Sequence, residues 1–252
     1  MSAHRVLPIL GQFAPSGAKP LRHQVPAAGP HAPQVLQSYY DALFRAYGPQ
    51  HWWPGRTRFE IIVGAILTQN TSWTNVERAI RNLRREKLLS PLAIERVSPP
   101  RLARLIRSSG YFRQKARKLK AFVRFLRDAH HGSLTKMFRT PTAVLREQLL
   151  AVHGIGPETA DSILLYAGKH PVFVVDAYTR RILERHHLAH GKQSYEEIRA
   201  LFERSLLLSA SLFNEYHGLI VRTGKDFCRA RAPLCENCAL KPFLPPSSEA
   251  AP

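Results

Sequence analysis

Leu150-Ala-Val-His-Gly-Ile-Gly-Pro-Glu-Thr-Ala-Asp-Ser-Ile-Leu-Leu-Tyr166, with Val174-Val-Asp-Ala-Tyr-Thr-Arg-Arg181 shortly after it, decides how this chain is read. An apolar run ends at Val152, a Gly-Ile-Gly turn comes next, and a second apolar run opens after Pro157. Glycine takes backbone angles that a Cβ forbids and lets another chain come close, the roles expected of Gly154 and Gly156. Pro157 suits the first turn of a helix, where its missing N–H costs nothing. Ile163, Leu164 and Ala167 continue at helical spacing. The pattern predicts two helices joined by a tight hairpin that turns backbone N–H groups outward at a helix start. That geometry suits a phosphate oxygen.

A Gly-x-Gly turn also serves plain helix packing, so the segment around Asp176 carries more weight. Asp176 stands between the apolar quartet Val172, Phe173, Val174 and Val175 and a helix bearing Arg180, Arg181 and Arg185. A carboxylate at a helix entrance is an N-cap in most proteins. Beside a phosphate-binding turn in a basic chain, it is also a candidate catalytic group.

Charge points the same way. Thirty-seven Lys and Arg against 18 Asp and Glu leave +19 on 252 residues. Such a field draws polyanions and raises association rates, although it fixes no fold. No apolar run nears the roughly 20 residues that cross a bilayer. The Val6–Leu10 segment is too short and too close to Pro8 for a signal peptide. Three cysteines, all near the C-terminus, do not make a secreted disulfide framework. A soluble, cytoplasmic protein is the expectation.

Residues 1–33 carry six prolines and no acidic residue, so they read as a disordered basic tail, with a second short tail at 245–252. From Gln34 to Tyr47, Val35, Leu36, Tyr39, Tyr40, Leu43 and Phe44 recur at helical steps. His51-Trp-Trp-Pro-Gly55 comes next as a loop whose paired tryptophans either anchor it to the core or serve a ligand. Phe59–Leu67 is apolar all round and reads as a buried helix. Further helices are expected at about 74–86, 91–97, 99–109, 112–129, 141–151, 177–187, 194–207 and 211–224. Apart from the quartet before Asp176, no strand-like alternation appears. The tail reads Cys228-x6-Cys235-x2-Cys238. Thiolates at short spacing hold iron–sulfur clusters, and three cysteines with a histidine hold zinc.

The Gly-Ile-Gly-Pro-Glu-Thr-Ala turn and the Val-Val-Asp-Ala-Tyr-Thr-Arg-Arg segment resemble the helix–hairpin–helix DNA glycosylases of the endonuclease III superfamily. The likeness runs from about Gln34 to Leu244 and is greatest to the 3-methyladenine glycosylase branch. It implies an all-α, two-lobed fold with the active-site cleft between the lobes. Residues 57–170 would form a central bundle, and 34–56 with 171–244 a composite lobe. The implied activity is excision of a flipped, damaged base from double-stranded DNA by a monomer working at the nucleoid.

Residue by residue, the resemblance makes Asp176 the catalytic carboxylate. It places Trp52, Trp53, Pro54 and Trp73 around the base. Gln69 would fill the emptied stack, and Gly154, Ile155, Gly156 and Thr159 would hold the backbone. Family members with lyase chemistry carry a lysine immediately before Thr-Ala, where this chain has Glu158; a carboxylate cannot form an imine. The family's 4Fe-4S loop has a fourth cysteine where Leu244 stands, so Cys228, Cys235 and Cys238 hold a cluster with one other ligand, hold zinc, or hold nothing. The implied function is a monofunctional glycosylase for alkylated purines such as 3-methyladenine. The alternatives are a bifunctional enzyme for oxidised pyrimidines and a noncatalytic DNA-binding module.

Overall fold

The computed structural model describes residues 32–53 and 55–245. Except for their inner ends, the tails expected at 1–33 and 245–252 lie outside the described residues, and so does Pro54. Twelve α-helices appear in this range: α1 (Ala32–Tyr47), α2 (Arg58–Leu67), α3 (Trp73–Arg85), α4 (Pro91–Arg96), α5 (Pro99–Leu105), α6 (Phe112–His130), α7 (Leu134–Met137), α8 (Thr142–Leu150), α9 (Pro157–Ser162), α10 (Ala177–Arg185), α11 (Tyr195–Ser205) and α12 (Ala210–Asp226). No strand occurs among the described residues, so the all-α expectation holds. The helix expected at 99–109 breaks at Ile106 into a 3-10 turn, Arg107–Ser109. One helical turn, α7, stands in the segment read as loop, with the Ser133 hydroxyl accepting from the Lys136 N–H at 3.2 Å.

The buried helix α2 anchors the molecule. Ile62, Val63, Ile66 and Leu67 are inaccessible to water, and Thr57 caps the start by accepting from the Glu60 N–H at 3.1 Å. Its other end is held by a buried lysine. Lys115, 1 % exposed, donates its ammonium to the Leu67 and Ser109 carbonyls, 2.9 Å from the former. The final carbonyls of a helix lack partners and carry its negative pole, which a cation satisfies. Burial, with the Lys118 charge adding to it, pushes the Lys115 amine down to about 8. This lysine fixes where α2 stops and hence where Gln69 begins.

Helix α9 widens after Ser162 into a π-helical segment, Ile163–Gly168, buried through Ala167. Such segments recur at functional sites because they re-aim side chains; here the one re-aimed is Tyr166. This segment touches both α2 and α12, while α1 lies on α11 and α12, and α10 packs along α12.

The quartet Val172–Val175 is not a strand. It is an irregular strap, each residue at most 3 % exposed, with no neighbouring strand. Buried backbone donors need partners, and helix α11 supplies them from side chains. Glu203 accepts from the Phe173 N–H at 3.0 Å, and the Tyr195 hydroxyl accepts from the Val175 N–H at 3.4 Å. Phe173 lies flat on Phe202, ring centres 3.7 Å apart.

Tyr195 also gives its hydroxyl proton to Asp161 (2.9 Å), which Arg146 grips with two bonds of 2.7 and 3.1 Å. Asp161 is wholly buried. Removing one partner of such a pair leaves an uncompensated charge, at a cost of about 3–5 kcal/mol. Arg146→Ala should therefore lose that much stability in urea denaturation at neutral pH. The loss should shrink in acid, where Asp161 takes up a proton. A change below about 1 kcal/mol would show that the pair does not hold the strap's neighbour in place.

Candidate active site

Asp176 ends the strap and begins α10, and its two oxygens do different work. Oδ1 accepts from the Thr179 N–H at 2.7 Å and the Thr179 hydroxyl at 2.9 Å, completing the N-cap. Oδ2 makes neither bond and faces Nε2 of His217 at 3.5 Å. The side chain is 13 % exposed, so one flank of the carboxylate opens to the cleft. The capping and catalytic readings of Asp176 are therefore compatible.

His217, on the buried face of α12 with Phe213 and Tyr216, is not among the residues that the sequence singles out. Its Nδ1 lies 2.7 Å from the Tyr166 hydroxyl. Burial pushes the imidazole below the usual histidine range, and the nearby Asp176 charge only partly opposes this. Burial likewise pushes the Tyr166 phenol well above its ordinary value. Both are neutral at physiological pH. A histidine on an apolar helix face is the one sequence signal that pointed to this arrangement.

The three tryptophans meet beside these residues. Trp53 stacks on Tyr166 with ring centres 4.8 Å apart, and Trp73 meets Trp53 edge-on at 5.0 Å. Trp52 stands edge-on to Trp53 at 5.8 Å and lies 6.5 Å from the His217 ring. Glycine at 218 seats Trp52 against α12, because a Cβ there would come within 2.9 Å of the Trp52 Cβ. The Trp52 carbonyl accepts from Asn214 on the same helix. The Trp73 indole N–H donates to Glu77 at 2.9 Å.

The hairpin divides its two glycines' duties differently from the expectation. Gly154 has φ +81°, and a Cβ there would strike the Lys118 stem at 2.5 Å. Gly156 has an extended φ of −95° and open space around it, so any residue could adopt its backbone. What its missing side chain leaves is a bare surface. Ile155 is buried, and its N–H is taken by the Val152 carbonyl at 3.0 Å. The Thr159 hydroxyl is turned inward and accepts from Gln69 at 2.8 Å. Neither residue offers a side chain to a ligand; the donors that remain are backbone N–H groups at the start of α9. Gln69 is tied to the hairpin by that bond and by a 3.2 Å bond to the Gly154 carbonyl, and its oxygen accepts from the Lys118 ammonium of α6.

Glu158 occupies the first turn of α9. The residue as a whole is exposed, yet its carboxyl is crowded by neighbouring protein atoms and lies near Asp176. Crowding first, and the Asp176 charge second, push it up to about 7. Cys228, Cys235 and Cys238 line one apolar cavity with Ile182, Leu240 and Leu244, and Arg185 donates to the Cys228 sulfur at 3.1 Å. Among the described residues, no three His, Cys, Asp or Glu side chains are grouped to hold a metal ion.

An acid whose folded-state pKa exceeds its unfolded value costs stability when it ionises. For Glu158 that cost is absent below about pH 4.5, grows towards pH 7 and then levels off. The melting temperature of Glu158→Gln relative to the parent should rise across that window and stay constant above it. A pH-independent difference would show that Glu158 titrates as an ordinary surface glutamate.

A family model described as HhH-GPD superfamily base excision DNA repair protein matches residues 63–206. A Methanocaldococcus jannaschii protein named as a DNA repair glycosylase is 46 % identical over 212 residues, covering 83 % of this chain and 96 % of its own. H. pylori 3-methyladenine DNA glycosylase (MagIII), solved with 1,N6-ethenoadenine bound, is 30 % identical with a TM-score of 0.64. That match covers 77 % of this chain and 97 % of the other. A trapped endonuclease III–DNA covalent intermediate shares the fold, with a TM-score of 0.73 at 22 % identity over 84 % of this chain and 95 % of that one. The chain belongs to the HhH-GPD superfamily of base excision DNA repair proteins and is a DNA glycosylase.

Proposed function

We propose that this glycosylase is monofunctional and releases alkylated purines, such as 3-methyladenine, with water as the nucleophile. The observation that carries this reading is a carboxyl pair, Glu158 and Asp176, beside a cluster of three tryptophans, with no amine at the position before Thr159. The H. pylori relative, named for 3-methyladenine and solved with a modified adenine, supports it.

Breaking the bond between base and sugar develops positive charge at C1′ and the ring oxygen. A fixed carboxylate facing that charge stabilises it more than it stabilises the substrate. Asp176 Oδ2 has that task and orients the attacking water, as carboxylates do in glycoside hydrolysis. An N-alkylated purine is itself cationic, so aromatic faces attract it. Trp53, with one face covered by Tyr166, offers the other, and Trp52 and Trp73 wall the site. The base reaches them by rotation out of the duplex. Gln69 fills the vacated stack, the bare surface at Gly156 lets the phosphate backbone approach, and the basic surface supplies long-range attraction to DNA.

The cysteine loop takes no part in this chemistry. A four-thiolate cluster does not fit the donor set, because Leu244 stands at the fourth position. Anaerobically purified protein should contain no stoichiometric iron or zinc. A full complement of either metal would contradict this.

Asp176→Asn removes the negative charge while keeping size and the cap to Thr179. Single-turnover release of 3-methyladenine should fall about 10²–10³-fold. Affinity for an abasic-site duplex should hold or increase. Borohydride should trap no covalent adduct from the parent enzyme. Release at the parent rate by the variant would refute the active-site assignment, and a trapped adduct would refute the monofunctional reading.

A further inference from the structure

Nε2 of His217 is a buried polar atom with no hydrogen-bond partner, 3.5 Å from the oxygen of Asp176 that the helix cap leaves free. A buried donor left without a partner is costly, so it calls for an explanation. The hydroxyl on the far side of the ring supplies one. Were the proton on Nδ1, the imidazole would donate to Tyr166 and turn the Nε2 lone pair towards a carboxylate. Two lone pairs would then face each other in a dry site. With Tyr166 donating to Nδ1, the proton sits on Nε2 and points at Asp176. The Trp52 indole N–H approaches the same hydroxyl without reaching hydrogen-bond geometry. It favours the Tyr166 oxygen as acceptor and its proton as donor to His217.

We infer that His217 is a positioning residue, held by Tyr166 as the Nε2–H tautomer, that orients the Oδ2 of Asp176 towards the reacting sugar. The inference rests on Asp176 being the catalytic carboxylate. Catalytic hydrogen bonds are often long in the free enzyme and tighten in the complex, and closing about half an ångström gives an ordinary bond here. The chain of groups has a second consequence. Tyr166 is stacked on Trp53, so a base that shifts Trp53 by stacking on it also disturbs the hydroxyl that sets the His217 tautomer. Occupancy of the pocket and orientation of the carboxylate are thereby joined through one ring.

Nitrogen NMR of the parent protein with labelled histidine should show His217 neutral with its proton on Nε2, and Tyr166→Phe should weaken that preference, leaving only the Asp176 carboxylate to favour it. His217→Leu removes the donor at similar volume. Single-turnover base release should fall about 10–100-fold, the worth of a hydrogen bond to a charged group, with affinity for abasic-site DNA unchanged. His217→Gln, which places an N–H near the same point, should recover most of the rate. The Nδ1–H tautomer or an imidazolium in the parent, or base release by His217→Leu at the parent rate, would overturn the inference. Asp176→Asn run in parallel separates the two readings. If it is slow while His217→Leu is not, only the positioning role fails; if it is as fast as the parent, both fail.

Discussion

A carboxylate that must face a developing cation has to sit in a poorly hydrated cleft without losing its place or its charge. For Asp176, the carboxylate proposed for that role, the fold provides the buried strap that precedes it. Val172 to Val175 have no neighbouring strand, so the backbone donors of Phe173 and Val175 are met by Glu203 and Tyr195 from α11. Phe173 locks the strap by stacking on Phe202. Tyr195 in turn answers to the buried Asp161–Arg146 pair. The strap is thus fixed from one side by polar bonds to its backbone and from the other by close-packed rings. At its end Thr179 takes one oxygen of Asp176, leaving the second to the cleft.

The same economy governs the other parts of the site. Lys115 stops α2 by satisfying its last carbonyls, which sets Gln69 against the hairpin. Lys118 then fills the space below Gly154 and reaches Gln69. The proposed stack-filling residue and the proposed phosphate-binding turn therefore form one hydrogen-bonded unit. The tryptophan cluster rests on the π-helical segment through the stack of Trp53 on Tyr166.

Local chemistry explains which elements are legible in the chain. The Gly-Ile-Gly-Pro turn, the apolar all-round α2 and the cap residue Asp176 each have a short-range cause, so their elements stand out. No spacing of apolar residues announces the break at Ile106 or the π-helical widening, and the turn at Leu134–Met137, although capped locally by Ser133, is too short to show a period. Gly156 departs from its expected role because a glycine in sequence does not say whether its φ is positive. His217 and Tyr166 lie 51 residues apart, and each looks like one more core residue on its own helix. Their meaning comes only from standing next to Asp176 and Trp53. The raised pKa of Glu158 has the same origin, since it comes first from burial of its carboxyl and second from Asp176, a neighbour in space and not in sequence.

The central claim is that Asp176 stabilises positive charge at the sugar, and charge can be tested apart from any base. A duplex carrying a pyrrolidine in place of the damaged nucleotide is cationic at the sugar position, whereas tetrahydrofuran there is neutral and of nearly the same shape. Dissociation constants for both duplexes, measured by fluorescence anisotropy with the parent enzyme and with Asp176→Asn, isolate the electrostatic contribution. Transition-state analogues bind at least about 10²-fold tighter than substrates. The parent should prefer the pyrrolidine duplex by that order, and the preference should collapse in the variant. Equal affinity of the parent for the two duplexes would contradict the account.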